Sequence, residues 1–256
     1  MDMKLLNLLQ LGRSLFPKWS RHDNYESSQY YEQQPSCQIS QLDSLFQLFF
    51  SRRENGVFVE IGANDGVSCS NTWGLAKRGW TGYLVEAIPE FVTKCKTNHK
   101  DHGNVSVWQV AMGDKDGEEV TFNIGGQLTT ANQDLRLEYQ DTTWAKSVIT
   151  STQVKLLTQR LDTFLVNKKI QPDFDLLVVD VEGYEKQVFS GFTLSKWRPK
   201  MLIVELTDTH PHLRTNAKSD ANLGQMILSA GYEIVYKDCI NTVFITKSVW
   251  KDIFKS

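Results

Sequence analysis

The stretch VFVEIGANDG, residues 57–66, decides the reading of the fold. Apart from Glu60, its first five residues are β-branched, aromatic or apolar, the composition of a buried strand. Gly62 and Gly66 then let the chain turn sharply and bring backbone amides close to a ligand. Two glycines four apart, with Glu60 two residues before the first, match neither the GxGxxG of dinucleotide enzymes nor the GxxxxGK[ST] of phosphate loops. There is no Lys for a polyphosphate. An acid beside the loop repels phosphates and suits the ammonium group of a methionine moiety, so charge favours S-adenosylmethionine over NAD or ATP. A tight turn with no ligand is the plain alternative.

Outward from this loop, NTWGLAKRG (71–79) reads as a helix and TGYLVEA (81–87) as a second strand, which makes a β–α–β unit. Glu86 stands at the carboxyl end of that strand, about 20 residues past the glycines, where a carboxylate can accept from both hydroxyls of a ribose. Ala87 and Ile88, with Val110 and Ala111 after the third strand, could form an apolar slot for adenine or could be simple core. Pro89 opens a helix through PEFVTKCKTNH, and VSVWQVA (105–111) reads as the third strand. DFDLLVVDV (173–181), a helix from Gly183, KMLIVEL (200–206) and a helix around ANLGQMILSAG continue the alternation. YEIVYK and NTVFITK (241–247) close it as a hairpin. The expected class is α/β, Rossmann-like: a mostly parallel seven-stranded sheet, helices on both faces, and a C-terminal antiparallel hairpin.

SQLDSLFQLFFSRR (40–53) has near-helical apolar spacing and should pack on the sheet. The domain is therefore expected over 40–256, behind a leading helix in MDMKLLNLLQLGRSLF and a polar linker at 20–38, together 1–39. That helix could rest on a membrane surface or a partner; it lacks the pattern of a signal peptide. No apolar run approaches the roughly 20 residues that a spanning helix needs. Gly125–Thr152 has weak periodicity and is long for a connector, which suggests a lid or substrate loop; its Arg136, Tyr139 and Trp144 would suit stacking on a sugar or lie on the surface.

The 256 residues carry a formal net charge of −2 and no long basic block, so the electrostatic footprint of a nucleic-acid binder is missing. Four cysteines without a CxxC pair suggest neither a zinc ribbon nor a disulfide framework and fit a reducing cytoplasm.

VVDVEGYE, 178–185, places Asp180 and Glu182 after a wholly apolar run, at the switch-point crevice of such a sheet. A hydroxyl nucleophile is barely ionised at neutral pH, and Asp180 is the first choice for the base that takes its proton. Glu182 could instead cap the helix that follows. His210 is a second candidate base. A divalent metal could be held where Asp180, Glu205 and His210 or His212 converge, although no spacing demands it.

These motifs resemble the FkbM-type methyltransferases, a branch of the class I S-adenosylmethionine enzymes. The resemblance runs over about 41–248, through FVEIGANDG, SNTWGLAKRGWTGYLVEAIPE, VAMGDKDG, LDTFL, LLVVDVEGYEKQVFSGF and MLIVEL. It implies that Glu60, Gly62, Asn64, Asp65 and Gly66, with Ala63 in the same loop, line the methionine part of the cofactor. Glu86 would hold the ribose, Asn71 would touch the cofactor, and Asp180 with Glu182 would form the DVEG signature. The chain departs from the family at Val178, where many members carry Lys two residues before the Asp. The family implies O-methylation of sugars and other hydroxylated metabolites or glycans. The rivals are an NAD-binding oxidoreductase, disfavoured by the glycine spacing, and a non-catalytic binding module, disfavoured by the retained acids.

Overall fold

In the computed structural model of the chain, residues 30–254 are described; the expected leading helix and the start of the linker lie outside them. The strands at the heart of the fold are β1 (Val57–Ile61), β2 (Thr81–Glu86) and β3 (Val105–Gln109), then β7 (Leu176–Val179) and β8 (Met201–Glu205), with β9 (Tyr232–Lys237) and β10 (Asn241–Thr246) last. They form one seven-stranded sheet in the order β3-β2-β1-β7-β8-β10-β9. β10 alone runs antiparallel to its neighbours, and the order reverses beside β1, at the β1–β7 junction. This is the expected Rossmann-like α/β architecture.

Buried on both faces, the central strands alternate their side chains between two apolar layers. Val59, Ile61, Leu177, Val179, Leu202 and Val204 point to one side. There they meet α5 (Leu161–Asn167), α6 (Glu185–Ser190) and α8 (Ala217–Ser229), and the short α7 (Leu194–Trp197) caps the same layer. Phe58, Leu84, Leu176, Val178, Met201 and Ile203 point to the other. That layer is covered by α1 (Leu42–Phe50), α2 (Trp73–Lys77), α3 (Pro89–Asn98) and, at its margin, α9 (Lys247–Phe254). α1 is the amphipathic helix expected at 40–53.

Tyr30 and Tyr31, assigned to the linker by the expected boundary at residue 40, pack on the domain. Tyr31 is fully buried, its hydroxyl donates to the Arg53 carbonyl at 2.9 Å, and its ring meets Phe46 and Trp80 edge-on. A polar composition hid one aromatic anchor, and one buried Tyr is enough to bind the strap down.

Two further differences lie in the middle of the chain. The run at 105–111 breaks at Val110 into β3 and β4 (Ala111–Gly113). β4 leaves the main sheet to pair with β6 (Gln153–Arg160), which also pairs with β5 (Glu119–Asn123) in a second, three-stranded sheet. The stretch 125–152 contains an ordered helix, α4 (Gln133–Asp141), whose N-cap Asn132 accepts from the amides of Asp134 and Leu135.

Candidate active site

Register alone assembles the site. Ile61 pairs with Val85 and with Val179, and Val179 pairs with Val204. The next residue on each strand is therefore level with the others: Gly62, Glu86, Asp180 and Glu205 form one row at the carboxyl edge of the sheet. A crevice of about 300 Å³ opens over this row.

The glycine loop is closed on itself. The amides of Gly62 and Ala63 both donate to the Val85 carbonyl, Asn64 N to Glu86 Oε2, Asp65 N to Asn64 Oδ1, and Gly66 N to the Ala63 carbonyl. No amide between 62 and 66 is left for a ligand, so a phosphate would find no donors there. The glycines also have a different cause from the one expected. A Cβ on Gly62 would stand 1.6 Å from the Asp180 carbonyl, and one on Gly66 would strike Cys95 and His99 of the α3 segment. They allow β1 to meet β7 and the loop to meet α3; their φ values of 89° and 75° reinforce the choice.

Glu86 is aimed by backbone. Oε2 accepts from Asn64 N at 2.9 Å and Oε1 from Ile88 N at 2.8 Å. Glu86 lines the crevice, and a carboxylate held this way can accept further hydrogen bonds, as a ribose diol requires. Burial pushes its carboxyl above the usual range, against the pull of these amides. Glu60 is buried beneath the loop, where Thr72 Oγ1 donates to Oε2 at 2.6 Å; desolvation raises it to about 7. Ala63, Asn64, Asn71, Ala87, Ile88 and Val110 all line the crevice, joined by Phe91 and Met112 on its apolar side.

Three expected cofactor residues do not line it. Asp65 turns inward to accept from the amides of Val67 and Ser68 and from the Ser68 hydroxyl, an Asx-turn that shapes the loop. Gly66 packs against α3, and Ala111 has left with β4, so Met112 takes the expected place beside Val110.

Across the crevice, Asp180, Glu182 and Glu205 bring one carboxylate oxygen each to within 4.8 Å of one another. Burial lifts Asp180 to about 6, with a hydrogen bond to Glu205 working the other way, and raises Glu182 and Glu205 well above their ordinary values. Glu182 sits at φ 53° and Gly183 at 85°, two consecutive left-handed residues. The turn is held from the 125–152 segment: Thr130 Oγ1 donates to the Glu182 carbonyl, Asn132 Nδ2 to the Gly183 carbonyl, and the Tyr139 hydroxyl to Glu182 Oε2 at 2.6 Å. That segment is a buttress, and Leu128, Tyr139 and Trp144 carry it over the crevice as one wall.

Glu182 does not cap the following helix. That helix has Tyr184 as its N-cap and no side-chain cap; Glu185, its first residue, instead braces the preceding turn by accepting from the amides of Val181 and Gly183 on Oε1.

His210 reaches the crevice, but Nδ1 accepts from the amides of Leu213 and His212 at 2.9 and 3.2 Å. With burial also lowering its pKa, the ring is neutral with its proton on Nε2. It offers a donor there, neither a free base nor a metal-binding lone pair. His212 is exposed and lies off the crevice.

Among the described residues the lining therefore holds five carboxylates, Glu60, Glu86, Asp180, Glu182 and Glu205, and no Lys or Arg. Such a site favours a cationic ligand and repels a dinucleotide. Glu86 at the strand end, the apolar residues beside it and the acidic floor fit a sulfonium nucleoside.

The model of the FkbM methyltransferase domain matches residues 60–234. No curated protein matches the chain in sequence. Among solved structures, the chain is similar to an O-methyltransferase from Bacillus cereus in complex with SAH, at 14% identity and TM-score 0.46, over 96% of this chain and 92% of that one. It is also similar to a putative O-methyltransferase from Klebsiella pneumoniae, at 12% identity and TM-score 0.45, over 96% and 90%. A third is a putative RNA methyltransferase from Pyrococcus horikoshii, at 10% and 0.42, over 94% and 96%. Likenesses this distant say nothing of substrate. The matched domain, which takes in the glycine loop, Glu86 and the Asp180 turn, makes the chain a member of the FkbM methyltransferase family and an S-adenosylmethionine-dependent methyltransferase.

Proposed function

We propose that this methyltransferase acts on a hydroxyl of a sugar, glycan or related hydroxylated metabolite, with Asp180 as the base. The observation that carries the proposal is Asp180 itself: a carboxylate level with Glu86 and Gly62, at the mouth of a crevice with no competing cation. Bound S-adenosylmethionine supplies an electrophilic methyl group. An acceptor oxygen attacks that carbon, the carbon–sulfur bond breaks, the sulfur leaves as a neutral thioether, and the hydroxyl proton passes to Asp180. Amines and thiols need less help in losing a proton; a hydroxyl needs a neighbouring acceptor, which contributes about 10²–10⁴-fold.

The wall above the site suits a polyhydroxylated acceptor. Trp144 is half exposed, with its ring edge-on to Tyr139, and the neutral polar residues Gln127 and Thr129 line the same crevice. A large aromatic face among uncharged hydrogen-bonding groups is the usual chemistry of sugar contact. Glu60, Asn64 and Asn71 are assigned to the methionine part, Glu86 to the ribose, and Ala87, Ile88 and Val110 to the adenine.

The test is methyl transfer from labelled S-adenosylmethionine to a panel of free sugars, nucleotide sugars and glycans. An alkali-stable methyl ether is the expected product. Label found on amine nitrogen or on RNA, with none on hydroxyl oxygen, would overturn the assignment.

A further inference from the structure

We infer that the strap Ser36–Gln38 is part of the donor site. Ser36 and Gln38 act as positioning residues: they hold the loop 69–71, and through it Asn71, against the methionine part of S-adenosylmethionine. The inference rests on the assignment of Asn71 to that part.

The strap runs ahead of the matched domain, which begins at residue 60, yet it is built into the fold. Tyr31 fixes its start, with its amide donating to Asp43 Oδ1 at 2.6 Å. The strap then lies flush on α2, where a Cβ on Gly74 would stand 2.8 Å from the Tyr31 carbonyl oxygen and 2.9 Å from that of Glu32. Ile39, 1% exposed, fixes its end in the core. Between these anchors, three consecutive residues meet the loop 69–71. Ser36 Oγ accepts from Cys69 N at 3.0 Å. The Cys37 thiol lies between the Ile39 carbonyl, at 3.6 Å, and Asn71 Oδ1, at 3.8 Å. Gln38 hydrogen-bonds the Cys69 thiol with its side chain and is itself held by Asn241, whose Nδ2 donates to its Oε1 at 2.9 Å. Asn241 lies past residue 234, where the matched domain ends. The two flanks of that domain thus meet at one wall of the crevice, which Gln38, Cys69, Asn71 and Ile240 all line.

The loop depends on this support. Cys69 is a non-glycine residue at φ 59°, a conformation that persists only where its surroundings impose it, and the partner of its amide is Ser36. Asn71, two residues on, is 2% exposed, lines the crevice and donates its backbone N–H to Glu60. Among the described residues no Lys or Arg lines the crevice, and the amides of the glycine loop are spent within it. The carboxylate of the donor's methionine part therefore relies on neutral side-chain groups such as Asn71, whose hydrogen bonds weaken steeply when distance or angle is lost. A turn at Cys69 that shifts takes this contact with it.

Calorimetric titration of the full chain with S-adenosylhomocysteine, with a thermal melt of each variant, tests the inference. Ser36→Ala and Gln38→Ala should each weaken binding by about three- to tenfold while melting close to the wild type. Ser36→Thr, which keeps the hydroxyl, should bind as the wild type does. So should Glu32→Ala, which removes the strap's ion pair with Lys77. In an Asn71→Ala background the effect of Ser36→Ala should vanish, because both act on one contact. Ser36→Ala and Gln38→Ala that bind normally, beside a weakened Asn71→Ala, would overturn the inference alone. So would a loss in Ser36→Ala that adds in full to that of Asn71→Ala. Normal binding by Asn71→Ala would remove Asn71 from the methionine part, and the inference with it.

Discussion

Asp180 and Glu86 stand level on strands that flank β1, and each has one task in the proposed reaction. Asp180→Asn removes the proton acceptor at constant shape, so donor affinity should be retained while kcat falls about 10²–10⁴-fold. Unchanged turnover would remove Asp180 from the base role. Glu86→Ala removes the carboxylate proposed to hold the ribose and leaves the amides of Asn64 and Ile88 without this acceptor. Donor binding should weaken by at least about tenfold, as calorimetry would show. Both acids were legible in the sequence, because a carboxylate that follows an apolar run falls at the carboxyl edge of a parallel sheet. Asp65, Gly66 and Ala111 lie off the crevice for separate reasons: Gly66 packs against α3, Ala111 leaves the main sheet with β4, and Asp65 turns inward. Which way a loop side chain turns depends on local hydrogen bonds that spacing does not encode, as the Asx-turn of Asp65 shows. The tautomer of His210 was equally hidden, since it is set by two amides that only the folded loop brings to Nδ1.

Among the elements, the 125–152 segment has the largest consequence for function. Tyr139 on α4 donates to the buried carboxylate of Glu182. Tyr139→Phe should lower stability by about 1–3 kcal/mol in denaturant melts and reduce turnover, because it frees the turn that carries both acids. Full turnover would show that α4 does not position them. At the opposite end of the sheet, Asp175 accepts from Arg53 and Lys200 and from Val57 N, which ties β7 to β8 and β1. These partners hold its carboxyl below the usual range despite the opposing effect of burial. A depressed folded-state pKa contributes stability that is present above the unfolded value of about 4 and is lost as pH falls from there through the lower folded-state pKa. Asp175→Asn should therefore destabilise at neutral pH, and the gap to wild type should close in acid; a gap independent of pH would contradict the ion-pair account. The main strands and their helices were readable from apolar runs and glycine stops. β6 was not: in QVKLLTQR exposed residues alternate with partly covered ones, and the strand is recognised only by its partners β4 and β5.

For the whole molecule, acids without cations along one edge of the sheet make both ligand choice and stability depend on charge. Glu60 is lifted to about 7 by burial, above its unfolded value, so the folded chain binds the extra proton between about pH 4.5 and 7. Its contribution to stability is complete below the unfolded pKa and is lost as pH rises through the folded one. Without ligands, stability in denaturant melts should thus fall by up to about 1.4 kcal/mol per pH unit from this group across that window. A profile that rises across the same window would contradict the burial of an acid whose desolvation outweighs its hydrogen bond from Thr72. The described residues contain no helix long and apolar enough to cross a membrane. At this scale the sequence reading succeeded on architecture and cofactor, since both follow from alternation and charge, and erred on the boundary because the anchoring of Tyr31 is a tertiary event.

The central claim is that an acid-lined crevice, with no backbone amide to spare in its glycine loop, accepts a sulfonium nucleoside and refuses a pyrophosphate. Parallel calorimetric titrations of the full chain with S-adenosylmethionine and with NAD test it most directly. The account expects one equivalent of S-adenosylmethionine to bind, weakened in Glu86→Ala, with no heat from NAD at millimolar concentration. Saturable binding of NAD that Glu86→Ala abolishes, or no binding of S-adenosylmethionine by the folded wild type, would contradict it.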